Sequence, residues 1–222
     1  MMGNALKTLL RRAGGVTRYI PFVNHIKLSG AVLSMAPGSL MLNTRICCNG
    51  KRNIIEVENG CTLRNCSIQI KGNCNTVKIG KEVRAINADI CIEDDGNTIK
   101  IGNKTKLLGR IHLACIEGTQ ISIGDDCLCS SDIVVRTGDS HSILDKTGNR
   151  INPSKSVSIG NHVWIGHNVM LNKGTKIGSN SVVGTGAIVT KPFDENGVIL
   201  AGIPAKIVKN EINWDIARLD LG

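Results

Sequence analysis

The chain has 222 residues, a formal net charge of +9, 41% hydrophobic side chains and only 2% aromatic ones. That hydrophobic share can bury a core, which argues against disorder, and no stretch of about 18 uninterrupted apolar residues is present to span a membrane. The positive charge points to an anionic partner, but with so few rings to stack bases on and no basic helix in the body of the chain, nucleic acid is not that partner. Tyr19, Phe22, Trp164, Phe193 and Trp214 are the whole aromatic set. A core of Ile, Val, Leu, Ala and Cys suits a narrow body into which only mid-sized side chains fit.

Residues 1–45 carry no repeat and are expected to form a cap. A helix over 4–12 is predicted there, with Asn4 as its N-cap and Gly14-Gly15 as its stop. Lys7, Arg11, Arg12, Arg18 and Lys27 are scattered through the segment. The apolar run 28–36 is broken by Ser29, Gly30 and Ser34, a pattern that suits neither a signal peptide nor an anchor. A cytoplasmic protein is expected, with membrane contact peripheral at most; a solvated face or a subunit contact also accounts for those charges.

Internal periodicity then takes over. Ile79-Gly80, Ile101-Gly102 and Ile123-Gly124 stand 22 residues apart, with Val57-Glu58 one period upstream. Four residues past each apolar position lies Cys61, Val83, Thr105 or Cys127, always small or β-branched. These segments read as successive turns of one solenoid. The stretch 137–155 is polar, contains Gly, Asn and Pro, and interrupts the repeat, so a projecting loop is expected there. It carries His141, flanked by Asp139 and Ser142. A histidine on such a loop suits general-base work, because its ordinary pKa lies near neutrality.

Past residue 155 the period tightens to six. Ile159, Ile165, Leu171, Ile177, Val183 and Val189 form one column, and Val163, Val169, Thr175, Ser181 and Ala187 a second. A six-residue unit cannot bury its apolar face alone, so it must stack on its neighbours. The tail 192–222 holds AGIPAKIVK and a predicted short helix over 213–221. Nine cysteines, none in a C-x-x-C pair and none at zinc-finger spacing from a histidine, read as small apolar filler in a reducing compartment.

These sixes resemble the hexapeptide-repeat family. The resemblance implies an all-β fold, a left-handed parallel β-helix over 46–191, here with short helical caps at both ends. Three hexapeptides make a turn of 18 in that family, so the 22-residue turns need about four extra residues at one corner. The tract 135–209, with GDSHSI, VWIG and AGIPAK, is similar to the catalytic half of the sugar and polysaccharide O-acetyltransferases. That likeness makes His141 the base that activates a sugar hydroxyl against acetyl-CoA, with Asp139 placed to orient its ring. It puts Trp164 outside the prism beside the thioester, and His167, Thr185, Thr190, Lys191, Lys206 and Lys209 along the CoA path. His167 departs from the pattern, since relatives carry a small residue there. The likeness also implies a homotrimer with sites between subunits, a saccharide acceptor and no required metal. The net charge would suit an acidic sugar.

Three other readings stand beside this one. An N-acetyltransferase of an amino sugar nucleotide would use the same base. A zinc protein resembling the γ-class carbonic anhydrases would draw on His162 and His167, whose repeat positions depart from that family's register. A non-catalytic β-helix scaffold would have no reason to interrupt its column with a polar loop.

Overall fold

The protein is described by a computed structural model over residues 24–220. Among these residues the structure is all strand and loop, wound as a parallel β-solenoid. A thirteen-stranded sheet supplies two faces because Thr44–Val57 bends round a corner. Its first half pairs with Ser67–Lys71 and its second half with Thr76–Ile79. A nine-stranded sheet forms the third face, running from Leu40–Leu42 through Trp164–Ile165 to an antiparallel hairpin of Ile199–Gly202 and Ala205–Lys209.

The six residues expected to form one column past 155 divide among three, Ile159 with Ile177, Ile165 with Val183 and Leu171 with Val189, because three hexapeptides close one turn. The first of these columns continues the 22-residue series. Ile79, Ile101, Ile123, Ile159 and Ile177 pair in strict register, and all five are buried. The step is 22 residues as far as Ile123, 36 across the loop to Ile159, and 18 thereafter. Aliphatic side chains of similar length stack in such a column without voids, which explains the near absence of rings in the core.

The extra residues of the longer turns sit at the corner between the two faces of the larger sheet. Asn53, Asn75 and Asn97 line its inside, fully buried. Asn53 Oδ1 accepts from Asn75 N–H at 2.9 Å, Asn75 Oδ1 from Asn97 N–H at 2.8 Å, and Asn97 Oδ1 from Thr119 N–H at 3.1 Å. Each side chain thus satisfies backbone that the corner turns away from the sheets. Gly72 belongs to this corner at φ +126°, where a methyl group would strike the Asp94 carbonyl one turn on. The ladder continues through Thr119, whose hydroxyl bonds that of Thr137 at 2.7 Å. There the long loop leaves the coil.

The cysteines do more than fill space. Cys61 Sγ donates to the Gly80 carbonyl at 2.9 Å and Cys127 Sγ to that of Gly160 at 3.2 Å, the place Thr105 takes with its hydroxyl on Gly124 at 2.8 Å. All nine are free thiols.

Two expectations change. The coil already includes Asn24–Met35, which pairs in parallel with Thr44–Val57, so the boundary expected at 45 moves upstream. The helix expected over 213–221 is not formed in the described part of that segment. A helix of nine residues is marginal in water on its own, whereas the extended tail stacks the Trp214 ring on His162 and gains hydrogen bonds there. The helix expected over 4–12 lies outside the described residues.

Candidate active site

The loop carrying His141 is a small hairpin. Lys155 N–H bonds the Thr137 carbonyl at its base, Leu144 bridges Arg150 antiparallel, and the Asp145 carboxylate caps the tip through Thr147 and Asn149 N–H. Ser140, at φ +64°, turns the chain just before His141, which stands exposed.

What holds His141 is a buried amide. Asn152 Nδ2 donates to the His141 carbonyl and to Asp139 Oδ2, both at 2.8 Å, while its Oδ1 accepts Ile143 N–H at 2.7 Å. Asp139 Oδ2 also accepts the Lys173 ammonium, which reaches in from a later turn and bonds the Asn152 carbonyl at 3.2 Å. The Lys173 ammonium, then the Asn152 amide, keep the Asp139 carboxyl below its usual range. Asp139 Oδ2 is taken up by Lys173 and Asn152, and the Asn152 amide links it to the His141 backbone. A second brace joins Arg150 to Glu117 at 2.6 Å, and Glu117 is lowered by Arg150 first and Ser154 next.

Beside the loop base lies an open cleft of about 600 Å³, lined by Arg136, Gly138, Asp139, Lys155, Lys173 and Thr190 among others. It brings two expected site residues, Asp139 and Thr190, together with three cations. Such a lining favours an anionic or hydroxyl-rich ligand.

Trp164 stands on the nine-stranded sheet, between Leu128 and Val182 in register. Its neighbour in sequence, Ile165, points inward and is fully buried, so strand alternation turns the indole outward, where it is 39% exposed. His167 turns its Nδ1 to Ser131 Oγ at 2.9 Å and to Asp132 Oδ2 at 3.4 Å, and its carbonyl takes Gly186 N–H at 2.8 Å. Thr185 is exposed at the next turn of that corner. Lys191 lies over the Phe193 ring at 5.3 Å. Lys206 and Lys209 are exposed on the strand Ala205–Lys209. The expected residues thus form two groups on one chain, one around the His141 loop and one on and beside the Trp164 face.

Asn152, Lys173 and Trp214 were not singled out from sequence. Asn152 lies within the INPSK tract, but nothing local marks its amide as the loop's keystone. Among the described residues no group of three or more His, Cys, Asp or Glu side chains is placed to hold a metal ion. No helix among them is long and apolar enough to cross a membrane.

Residues 156–191 match the family model described as bacterial transferase hexapeptide (six repeats). The chain is 39% identical to the galactoside O-acetyltransferase of Escherichia coli K12 over 104 residues, 46% of this chain and 49% of that one. It spans about half the length of the curated relatives it matches. Among solved structures, the polysialic acid O-acetyltransferase OatWY superposes with a TM-score of 0.76 at 33% identity, covering 90% of each chain. The polySia-specific acetyltransferase NeuO gives 0.77 at 30% identity, covering 90% of this chain and 84% of that one.

Proposed function

Because the chain belongs to the hexapeptide-repeat transferase family, we propose that it is an acetyl-CoA-dependent O-acetyltransferase acting on a hydroxyl of a cell-surface polysaccharide or its sugar precursor. The observation that carries this reading is the likeness, across 90% of both chains, to an enzyme named for polysialic acid O-acetylation. The coil is read as left-handed, in keeping with the strict sixes past residue 155.

A sugar hydroxyl is a poor nucleophile near neutral pH. His141 takes its proton as the oxygen attacks the thioester carbonyl; the new C–O bond forms, the C–S bond breaks, and the proton passes from His141 to the departing thiolate. The Asn152 amide supports this role, because it fixes the backbone on which the imidazole is carried. Trp164 packs beside the thioester. His167, Thr185, Thr190 and Lys191 line the path, and Lys206 and Lys209 meet the CoA phosphates as point charges. With Lys173 paired to Asp139, Arg136 and Lys155 are the cations that make an acidic acceptor the best match for the cleft.

The active unit is a homotrimer, in which the His141 hairpin of one subunit faces the Trp164 groove of the next. Ile143, Leu144 and Ile151 support this, since each is more than half exposed on the hairpin and would be covered by a neighbour.

The test is thiol release from acetyl-CoA with a panel of acidic and neutral saccharides, comparing the wild type with His141→Ala. Saccharide-dependent release that falls by about 10²–10⁴-fold in the variant is expected. Undiminished release would remove His141 as the base, and no release with any sugar would remove the O-acetyltransferase reading.

A further inference from the structure

The tail beyond the hairpin folds back onto the Trp164 face. Ile212 N–H bonds the Gly197 carbonyl at 2.9 Å, and two residues on, the Trp214 ring lies flat on the His162 imidazole, with centroids 4.3 Å apart and planes 10° apart. Trp214 Nε1 donates to the His162 carbonyl at 2.8 Å. The imidazole is itself fixed at both nitrogens, Nδ1 to Asp126 Oδ2 at 3.1 Å and Nε2 to the Trp214 carbonyl at 3.0 Å. This clamp sets the Trp214 ring 6.1 Å from the Trp164 ring at a tilt of 44°. Tilted ring pairs at that separation attract one another. Leu128, the register partner of Trp164, lies under the same tail residues.

Resting on the donor-groove reading of Trp164 given above, we propose that Trp214 is a positioning residue for acetyl-CoA binding: the tail ring walls one side of the Trp164 indole and holds it in the orientation the thioester arm meets. An outward indole on a flat parallel face has open rotamers, and a ligand that packs on it must first freeze it. A wall in place before binding removes that cost, so it acts on donor affinity rather than on proton transfer at His141.

Trp164 and Trp214 are the only tryptophans of the chain, so substitution at 214 leaves Trp164 as the sole indole reporter. The experiment compares Trp214→Ala and Trp214→Phe with the wild type by calorimetric titration with CoA and with acetyl-CoA, by steady-state kinetics, and by acrylamide quenching of Trp164. Expected for Trp214→Ala are a Kd and a donor KM raised about tenfold with kcat within about twofold, and a Trp164 emission more red and more quenchable than in Trp214→Phe. Trp214→Phe keeps a ring on His162 and restores Kd to within about threefold of the wild type. Should Trp214→Ala fail to fold, Trp214→Leu, which fills the space without a ring, takes its place. Wild-type CoA affinity in the variants lacking the ring, with Trp164 quenched equally in all variants, overturns the proposal alone. A wild type that binds no CoA overturns the acetyltransferase reading and this proposal with it.

Discussion

Asn152 holds His141 by its backbone: the Asn152 amide donates to the His141 carbonyl at 2.8 Å from a side chain that is only 6% exposed. The same amide accepts Ile143 N–H and donates to Asp139, so one residue fixes the chain on both sides of the histidine. In Asn152→Ala the His141 carbonyl, Ile143 N–H, Asp139 Oδ2 and Arg150 Nε each lose a bond, although Asp139 keeps Lys173 and Arg150 keeps Glu117, at a net cost of about 1 kcal/mol per bond. These contacts lie in the loop and not in the aliphatic column, so the coil should keep its melting temperature within a few degrees. kcat/KM should fall about 10–100-fold, the scale on which a misplaced catalytic group is felt. Asn152→Asp should be worse, since it puts a second carboxylate against Asp139. Kinetics read alongside amide exchange over 137–155 check this, and an unchanged kcat/KM in Asn152→Ala would show that the loop needs no such anchor.

Acid should loosen the same loop. Asp139 is held below its ordinary pKa by Lys173 and Asn152, and Glu117 by Arg150 and Ser154. A carboxyl lowered in the folded state stabilises it above the unfolded pKa, and that contribution is lost as pH falls through the folded value. The bracing is therefore complete near neutrality, and the loop opens only below the ordinary carboxylate pKa of about 4. Lys173→Met removes the largest cause and should move the opening of 137–155, followed by amide exchange across an acid series, to higher pH. No movement would mean that Lys173 does not brace Asp139 in solution.

The thiols make a simpler test. Cys74 is exposed and Cys47 and Cys91 are half-buried, while the other six are buried. Burial pushes Cys127 up to about 11, and Cys129 higher still. A thiol reagent at pH 8 should label Cys74 fastest in the native protein and Cys91, also raised by burial, more slowly. The six buried thiols should stay silent until denaturant is added, when all nine react. Rapid native labelling of Cys127 or Cys129 would contradict the packing of the core around them.

Much of this architecture could be read from the chain as text. Ile79, Ile101 and Ile123 announce a turn of 22, and Ile159 and Ile177 a turn of 18, because a coil that buries the same strand positions at every turn must write them at its own period. The loop at 137–155 was legible for the converse reason: a polar stretch cannot enter the column. The place of His141 on that loop was legible with it; its role as base rests on the motif around it and is a proposal. The asparagine ladder was also present in the spacing of Asn53, Asn75 and Asn97, although polar repeats draw less notice than aliphatic ones.

The solenoid follows from the residues alone, since the inward strand positions take aliphatic or small side chains, asparagine lines the inner corner, and each strand carries its own pattern. The tertiary structure alone decided the partners. Lys173 meets Asp139 across 34 residues, and Trp214 meets His162 across 52. Such pairs depend on the offset between turns, which the loop resets from 22 to 36 and then to 18. They depend as well on a tail that gains more from stacking a ring on the third face than from closing an isolated helix, a balance that no local pattern of residues encodes.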